Sequence, residues 1–245
     1  MIAQQQYTKR IFKDTAKLYE ATANLIIDLA NKRKEEEKKF SIVLSGGHTP
    51  EQLFNVLSSS PFIDEMPWAN TFVFWGDERY VPSNDNMNNA FKAKVLLLNR
   101  VPIPRANIYS IPVDIPPAEA CEMYQEAIED FFERKDPQFD LILLGLGENG
   151  HTASLFPMSP PIYNKKVGIE DFYLGEEGIF RITMTAPLIN QAHHVLFMVT
   201  GPKKADIVKT VLTGEYYPDK YPAQLIKPKN GTLSWFLDEE AAKEL

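Results

Sequence analysis

The sequence predicts an α/β protein: an open, mostly parallel β-sheet with helices on both faces. Three observations lead there. Short apolar runs at 40–44, 71–75 and 141–144 have the length of strands and no polar face, as strands buried on both sides require. Segments with apolar residues at helical spacing separate these runs, and regular alternation of strand with helix calls for parallel strands joined by crossovers. Glycine-rich polar turns follow several of the runs, at the carboxyl edge where open α/β sheets hold their ligands.

Taken in order, Asp14 can cap a first helix in which Leu18, Leu25, Ile26 and Leu29 recur, and the charged run Lys32 to Lys39 reads as its solvated end. The strand Phe40 to Leu44 ends in Ser45-Gly46-Gly47-His48-Thr49-Pro50 before a helix marked by Leu53, Phe54 and Leu57. Thr49 and Gln52 read as a capping box, with Pro50 at the first helical position. Thr71 to Trp75 forms the next strand and runs into Gly76-Asp77-Glu78-Arg79-Tyr80-Val81-Pro82. A polar loop over 84–89 then leads to a helix with Phe91, Val95 and Leu98.

A short strand is expected near Ile108 to Ile111, and a long helix from Pro117 to Arg134 with Tyr124, Ile128 and Phe131 on one face. The strand Leu141 to Leu144 enters the densest glycine turn of the chain. Pro157 opens a Pro-, Gly- and Tyr-rich stretch up to Gly178, expected to be a mobile loop. Strands resume at 179–185 and 195–200, the second running into Gly201-Pro202-Lys203-Lys204 and another helix. A last strand at 232–237 and a short acidic helix close the pattern.

Composition narrows the function. At 245 residues and 44% hydrophobic the chain can bury a sizeable core, and no break in composition forces more than one domain over 1–245. A net charge of −7 and a pI near 5.2 argue against nucleic acid or an anionic membrane as partner, while leaving a small anionic ligand open. The lone Cys121 excludes an internal disulfide, and its helical setting suits a small buried thiol. Four histidines without a Cys/His cluster or an H-x-x-x-H pair point to no metal site, and His193 and His194 read as structural or surface residues. The amino-terminal stretch MIAQQQYTKR lacks the layout of a signal peptide, and no apolar run approaches the ~20 residues of a membrane span, so a cytoplasmic protein is expected.

The chemistry gathers at strand ends. Gly145, Gly147 and Gly150 match G-x-G-x-x-G, but a dinucleotide site needs a full helix after them, and Pro157 with Pro160 and Pro161 intervenes. What the turn does deliver is His151, a titratable group at the mouth of a crevice. Gly46 and Gly47 bare backbone amides beside a helix start, an arrangement that binds phosphate. Arg79 offers a planar fork for a phosphate, with Asp77 or Glu78 to position it or to meet a sugar hydroxyl. Lys204 adds a cation, and Arg181 is a further candidate. Segment by segment, plainer readings also stand: a solvated histidine, a capped turn, a surface ion pair. Together the groups read as a sugar-phosphate site.

The motifs SGGHTP (45–50), WGDERYVP (75–82), GLGENGHTASLFP (145–157), RITMT (181–185) and VTGPKKA (199–205) resemble, in order, those of the 6-phosphogluconolactonases, within the wider group that includes the glucosamine-6-phosphate deaminases. The resemblance implies a Rossmann-like three-layer fold. The HTASLFP wording resembles the lactonases, where deaminases carry an H-I-A-F-N-E-P type segment. It implies hydrolysis of 6-phospho-D-glucono-1,5-lactone with His151 as general base; no cofactor is expected, nor more than a monomer or weak homodimer. Gly46, Gly47, Arg79 and Lys204 would hold the phosphate, with Thr49 as the safer side-chain ligand and Asp77 facing the sugar. Turn amides between Gly147 and Gly150 are candidates for the oxyanion. The family commonly has serine at His48 and aspartate at Asn149; the second difference shifts the task of orienting the imidazole to Glu148, or to no residue. Asn88-Asn89 stands where the family has Ser-Asn, which leaves Asn89 a possible site residue. A deaminase or isomerase on the same fold and a non-catalytic sugar-phosphate sensor are the alternatives.

Overall fold

A computed structural model describes residues 7–245; residues 1–6, which open the stretch MIAQQQYTKR, lie outside the described residues. Along the chain run β1 (Thr8–Phe12), α1 (Thr15–Glu35), β2 (Phe40–Leu44), α2 (His48–Leu57), α3 (Phe62–Glu65), β3 (Thr71–Trp75), β4 (Asp77–Arg79), α4 (Asn89–Ala93) and α5 (Pro117–Phe131). There follow β5 (Leu141–Leu144), β6 (Ile169–Leu174), β7 (Ile179–Met184), α6 (Ala186–Ile189), β8 (His194–Val199), α7 (Ala205–Thr213), β9 (Thr232–Asp238) and α8 (Glu239–Ala242).

Six strands form one sheet in the order β1-β9-β8-β5-β2-β3, and every pairing in it is parallel. Every residue of β2 and β5 is buried, so both faces of the sheet centre are covered, as their unbroken apolarity requires. From β2 the chain winds outward to β3, whereas from β5 it winds the other way to β8 and β9. The order therefore reverses between β2 and β5, and a crevice opens beyond the carboxyl ends of strands at such a switch point. Both glycine turns, after β2 and after β5, lie there.

Local choices agree with the plan. The Asp14 side chain accepts from the Lys17 amide at 2.8 Å and caps α1, a bond worth about 1 kcal/mol. Tyr124 on α5 is fully buried; its hydroxyl accepts from the Trp75 amide at 2.8 Å and donates to the Trp75 carbonyl at 2.9 Å. It thereby fixes the end of β3 one residue before the chain turns into the site.

Several expectations need correction. Beyond Gly76 the chain leaves the parallel sheet, and β4 joins β7 and β6 in a separate antiparallel sheet of order β4-β7-β6. The stretch expected to be a mobile loop contains β6, paired with β7 along its whole length. Ile108 makes one isolated bridge to Val73 and no strand. The capping box does not form: α2 starts at His48, Gly47 is its N-cap at φ 102°, no side chain caps it, and the Thr49 hydroxyl bonds that of Thr200 at 2.8 Å. Cys121 is buried as expected, and burial with Asp171 beside it pushes its thiol up to about 12. Among the described residues no helix is long and apolar enough to cross a membrane.

Candidate active site

A cleft of about 660 Å³ opens at the switch point, lined by Gly46, Gly47, Thr49, Asp77, Arg79, Glu148, His151, Arg181 and Lys204; Glu78, the alternative to Asp77 in the sequence, is not among its walls. Five separate stretches of the chain thus converge on one hollow. Thr49 turns its hydroxyl to Thr200, so it lines the cleft with that group already engaged.

The β5 turn presents His151 by folding back on itself. The Gly147 amide donates to the His151 carbonyl at 2.8 Å and the Gly150 amide to the Gly147 carbonyl at 3.0 Å. A side chain at Gly147 would strike the imidazole, since a Cβ there would lie 2.1 Å from Nδ1; Gly150 sits at φ 84°, which glycine alone adopts freely. The two glycines are what let the ring lie over its own turn. Their amides are spent on the turn, so of the oxyanion candidates only those of Glu148 and Asn149 are free among the described residues.

Asn149, not Glu148, holds the imidazole, contrary to the expectation from sequence. Its Oδ1 accepts from the His151 backbone amide at 3.1 Å and lies 2.6 Å from Nδ1. Because that oxygen already accepts from the backbone, Nδ1 carries the proton and Nε2 is left as the acceptor. Glu148 is exposed and lies near Lys204, where it partly offsets the lowering of that ammonium by burial. The other face of the ring stacks on Phe156, centroids 4.2 Å apart. Burial, opposed by Asp77 and reinforced by Lys204 and Arg181, pulls the imidazole down to about 4. His151 is therefore neutral across the physiological range.

The β4 segment is tied down by its buried acids. Glu78 accepts from the amides of Arg79, Asn89 and Ala90 at 2.7–2.9 Å, and burial lifts its carboxyl to about 7 against their pull. It clamps β4 to the start of α4 and does not line the cleft. Asp77 accepts from the Ser154 hydroxyl at 2.6 Å. Asn89 donates to the Asp77 carbonyl at 3.0 Å and its side-chain oxygen lies over Gly46, within the space a Cβ would occupy. The amides of Gly46 and Gly47 make no hydrogen bond among the described residues and face the same cleft.

Sequence reading missed Phe156, Ser154 and Glu177. The first two lie inside a motif already singled out, but nothing in their spacing shows a ring stacked on the imidazole or a hydroxyl turned to Asp77. Glu177 forms an ion pair with Arg181 across the β6–β7 turn, and the acids of that stretch gave no sign of it. Among the described residues no group of His, Cys, Asp and Glu is arranged to hold a metal.

The model of the family described as glucosamine-6-phosphate isomerases/6-phosphogluconolactonase matches residues 13–235. The chain belongs to this family. It is 40% identical over 215 residues to a 6-phosphogluconolactonase of Synechocystis, covering 86% of each chain. A solved 6-phosphogluconolactonase of Thermotoga maritima superposes with a TM-score of 0.81 at 27% identity, over 95% of this chain and all of that one. A monomeric glucosamine-6-phosphate deaminase superposes equally well, TM-score 0.82 over 97% of this chain and all of that one, at 17% identity. Fold alone does not separate the two branches of the family; the sequence relatives and the turn after β5 do.

Proposed function

We propose that this chain is a 6-phosphogluconolactonase: it hydrolyses 6-phospho-D-glucono-1,5-lactone to 6-phosphogluconate, the second step of the oxidative pentose phosphate pathway. The observation that carries this reading is a neutral imidazole whose free Nε2 shares one cleft with Arg79 and Lys204. The volume of about 660 Å³ suits a six-carbon sugar phosphate. The amides of Gly46 and Gly47, with Arg79 and Lys204, hold the phosphate, and Asp77 meets a sugar hydroxyl.

Nε2 of His151 takes a proton from water as the oxygen attacks the lactone carbonyl. The tetrahedral intermediate carries an oxyanion, and a preorganised amide donor for it is worth about 2.7–4 kcal/mol; Glu148 and Asn149 supply the candidates. As the intermediate collapses, the C1–ring oxygen bond breaks, the imidazolium returns its proton to the leaving ring oxygen, and the new carboxylic acid ionises to solvent. Atoms and charge balance with water as the sole co-substrate. With this reading goes a monomer or weak homodimer in the cytoplasm.

The test generates the lactone in place with glucose-6-phosphate dehydrogenase and follows its loss against spontaneous opening. Acceleration in proportion to added protein is expected. No acceleration, or ammonia released from glucosamine 6-phosphate instead, would overturn the reading.

A further inference from the structure

The antiparallel pairing of β4 with β7 sets Arg79 directly across from Arg181. The Tyr80 amide donates to the Phe180 carbonyl and the Met184 amide to the Gly76 carbonyl, so this pair falls between hydrogen-bonded positions. At such positions facing Cα atoms are about 4.5 Å apart and both side chains share a face, where like charges repel. Neither guanidinium is used up: Nε of each is buried and has no hydrogen-bond partner among the described residues. Two opposed cations with buried, unused donors on a shared cleft are a seat for an anion.

The seat already holds one. Glu177, on the turn between β6 and β7, pairs with Nη2 of Arg181, a residue only 4% exposed. The carboxylate itself remains 37% exposed and lines the cleft. Arg181 has little else of its own: Nη1 lies 3.5 Å from the Ser154 hydroxyl and 3.9 Å from an Asp77 oxygen that the same hydroxyl already serves at 2.6 Å. A solvent-facing carboxylate on a turn is thus partnering a buried cation inside a cleft whose ligand is anionic.

We propose that Glu177 is the resident counter-anion of a two-arginine seat formed by Arg79 and Arg181, and that the phosphate of the substrate displaces it. The proposal rests on the lactonase reading for the identity of that substrate. A phosphate dianion bridges both guanidinia and relieves their repulsion, which a single carboxylate on one of them cannot do. Glu177 therefore sets affinity, cancelling one of the seat's two positive charges when no ligand is present and competing with every anion that enters.

The experiment compares Glu177→Gln with Glu176→Gln, which removes the same charge one residue away. Inorganic phosphate is titrated calorimetrically into each, and KM for the lactone is measured beside it. In Glu177→Gln the phosphate dissociation constant and KM are expected to fall about fivefold, the size of a partly exposed ion pair, and in Glu176→Gln less than twofold. Unchanged or weaker phosphate binding in Glu177→Gln overturns the proposal, and so does an equal gain in both variants. Tighter phosphate binding in a protein that fails to open the lactone would uphold the seat and sink the lactonase reading alone.

Discussion

The two edges of the parallel sheet carry similar residues and do opposite things with them. At the amino edge Arg33, Asp140, His193 and His194 surround a cavity of about 340 Å³; at the carboxyl edge Arg79, Asp77 and His151 surround one of about 660 Å³. At the amino edge the polar groups answer one another. One Asp140 oxygen pairs with Arg33, the other accepts from the Ser41 amide and hydroxyl at 2.8 and 2.9 Å, and His194 Nδ1 bonds the Thr232 hydroxyl at 2.7 Å. At the carboxyl edge two glycine amides, two guanidinium Nε groups and an imidazole Nε2 remain unanswered among the described residues. The two Nε groups are buried, and buried polar groups are costly unless satisfied, so two of them beside a cleft lined by further free donors mark a place finished by a ligand. Residue type alone does not separate a site from a buttress; the hydrogen-bond inventory does.

The contrast is sharpest for His151→Asn. Loss of the base is expected to cut kcat by ~10²–10⁴, while calorimetric binding of inorganic phosphate stays intact. Turnover at the native rate would break the assignment. Next comes Arg79→Ala, for which KM should rise ~10- to 100-fold, the worth of a charged hydrogen-bonding partner; an unaltered KM would move the phosphate elsewhere. Asp140→Ala probes the opposite edge. It leaves the Ser41 amide unpaired and Arg33 with Glu36 as its remaining acidic partner, and should cost about 1–2 kcal/mol in urea unfolding without touching KM. A fall in activity at unchanged stability would show that the amino edge is more than a buttress.

The strands buried on both faces were legible because that burial leaves a mark in sequence: the central Phe40–Leu44 and Leu141–Leu144, and the covered edge strand Thr71–Trp75, fall where their apolar runs stand. The edge strand β1 was not, since four of its five residues are exposed and its TKRIF has no apolar face to show. Nor was β6, whose core residues Phe172 and Leu174 alternate with partly exposed ones inside a glycine- and proline-rich stretch. The nine site residues were legible as chemistry at strand ends, and they do meet in one cleft. What sequence could not show is direction. Whether Glu148 or Asn149 reaches the imidazole depends on how a four-residue turn folds back, and whether Thr49 caps a helix depends on Gly47 taking that place first.

The smallest effect tests the finest difference between the edges, the neutrality of the group behind His151. Asn149 orients the ring without a charge, so nothing on that side offsets burial, and the imidazole titrates at about 4 instead of its ordinary 6.5. The acid limb of kcat/KM should accordingly lie below pH 5. Asn149→Asp sets a carboxylate 2.6 Å from Nδ1, which favours the imidazolium and should raise the limb by about one pH unit or more. The same shift has a stability sign. Between pH 4 and 6.5 the unfolded chain binds a proton at His151 that the folded one does not, so stability is lost as pH falls through that window, and the aspartate should narrow it. Measured together, kcat/KM against pH and the urea midpoint at pH 5 and pH 7 should move in concert. A limb that stays put in Asn149→Asp would mean that the contact holding the ring is not the one that sets its charge.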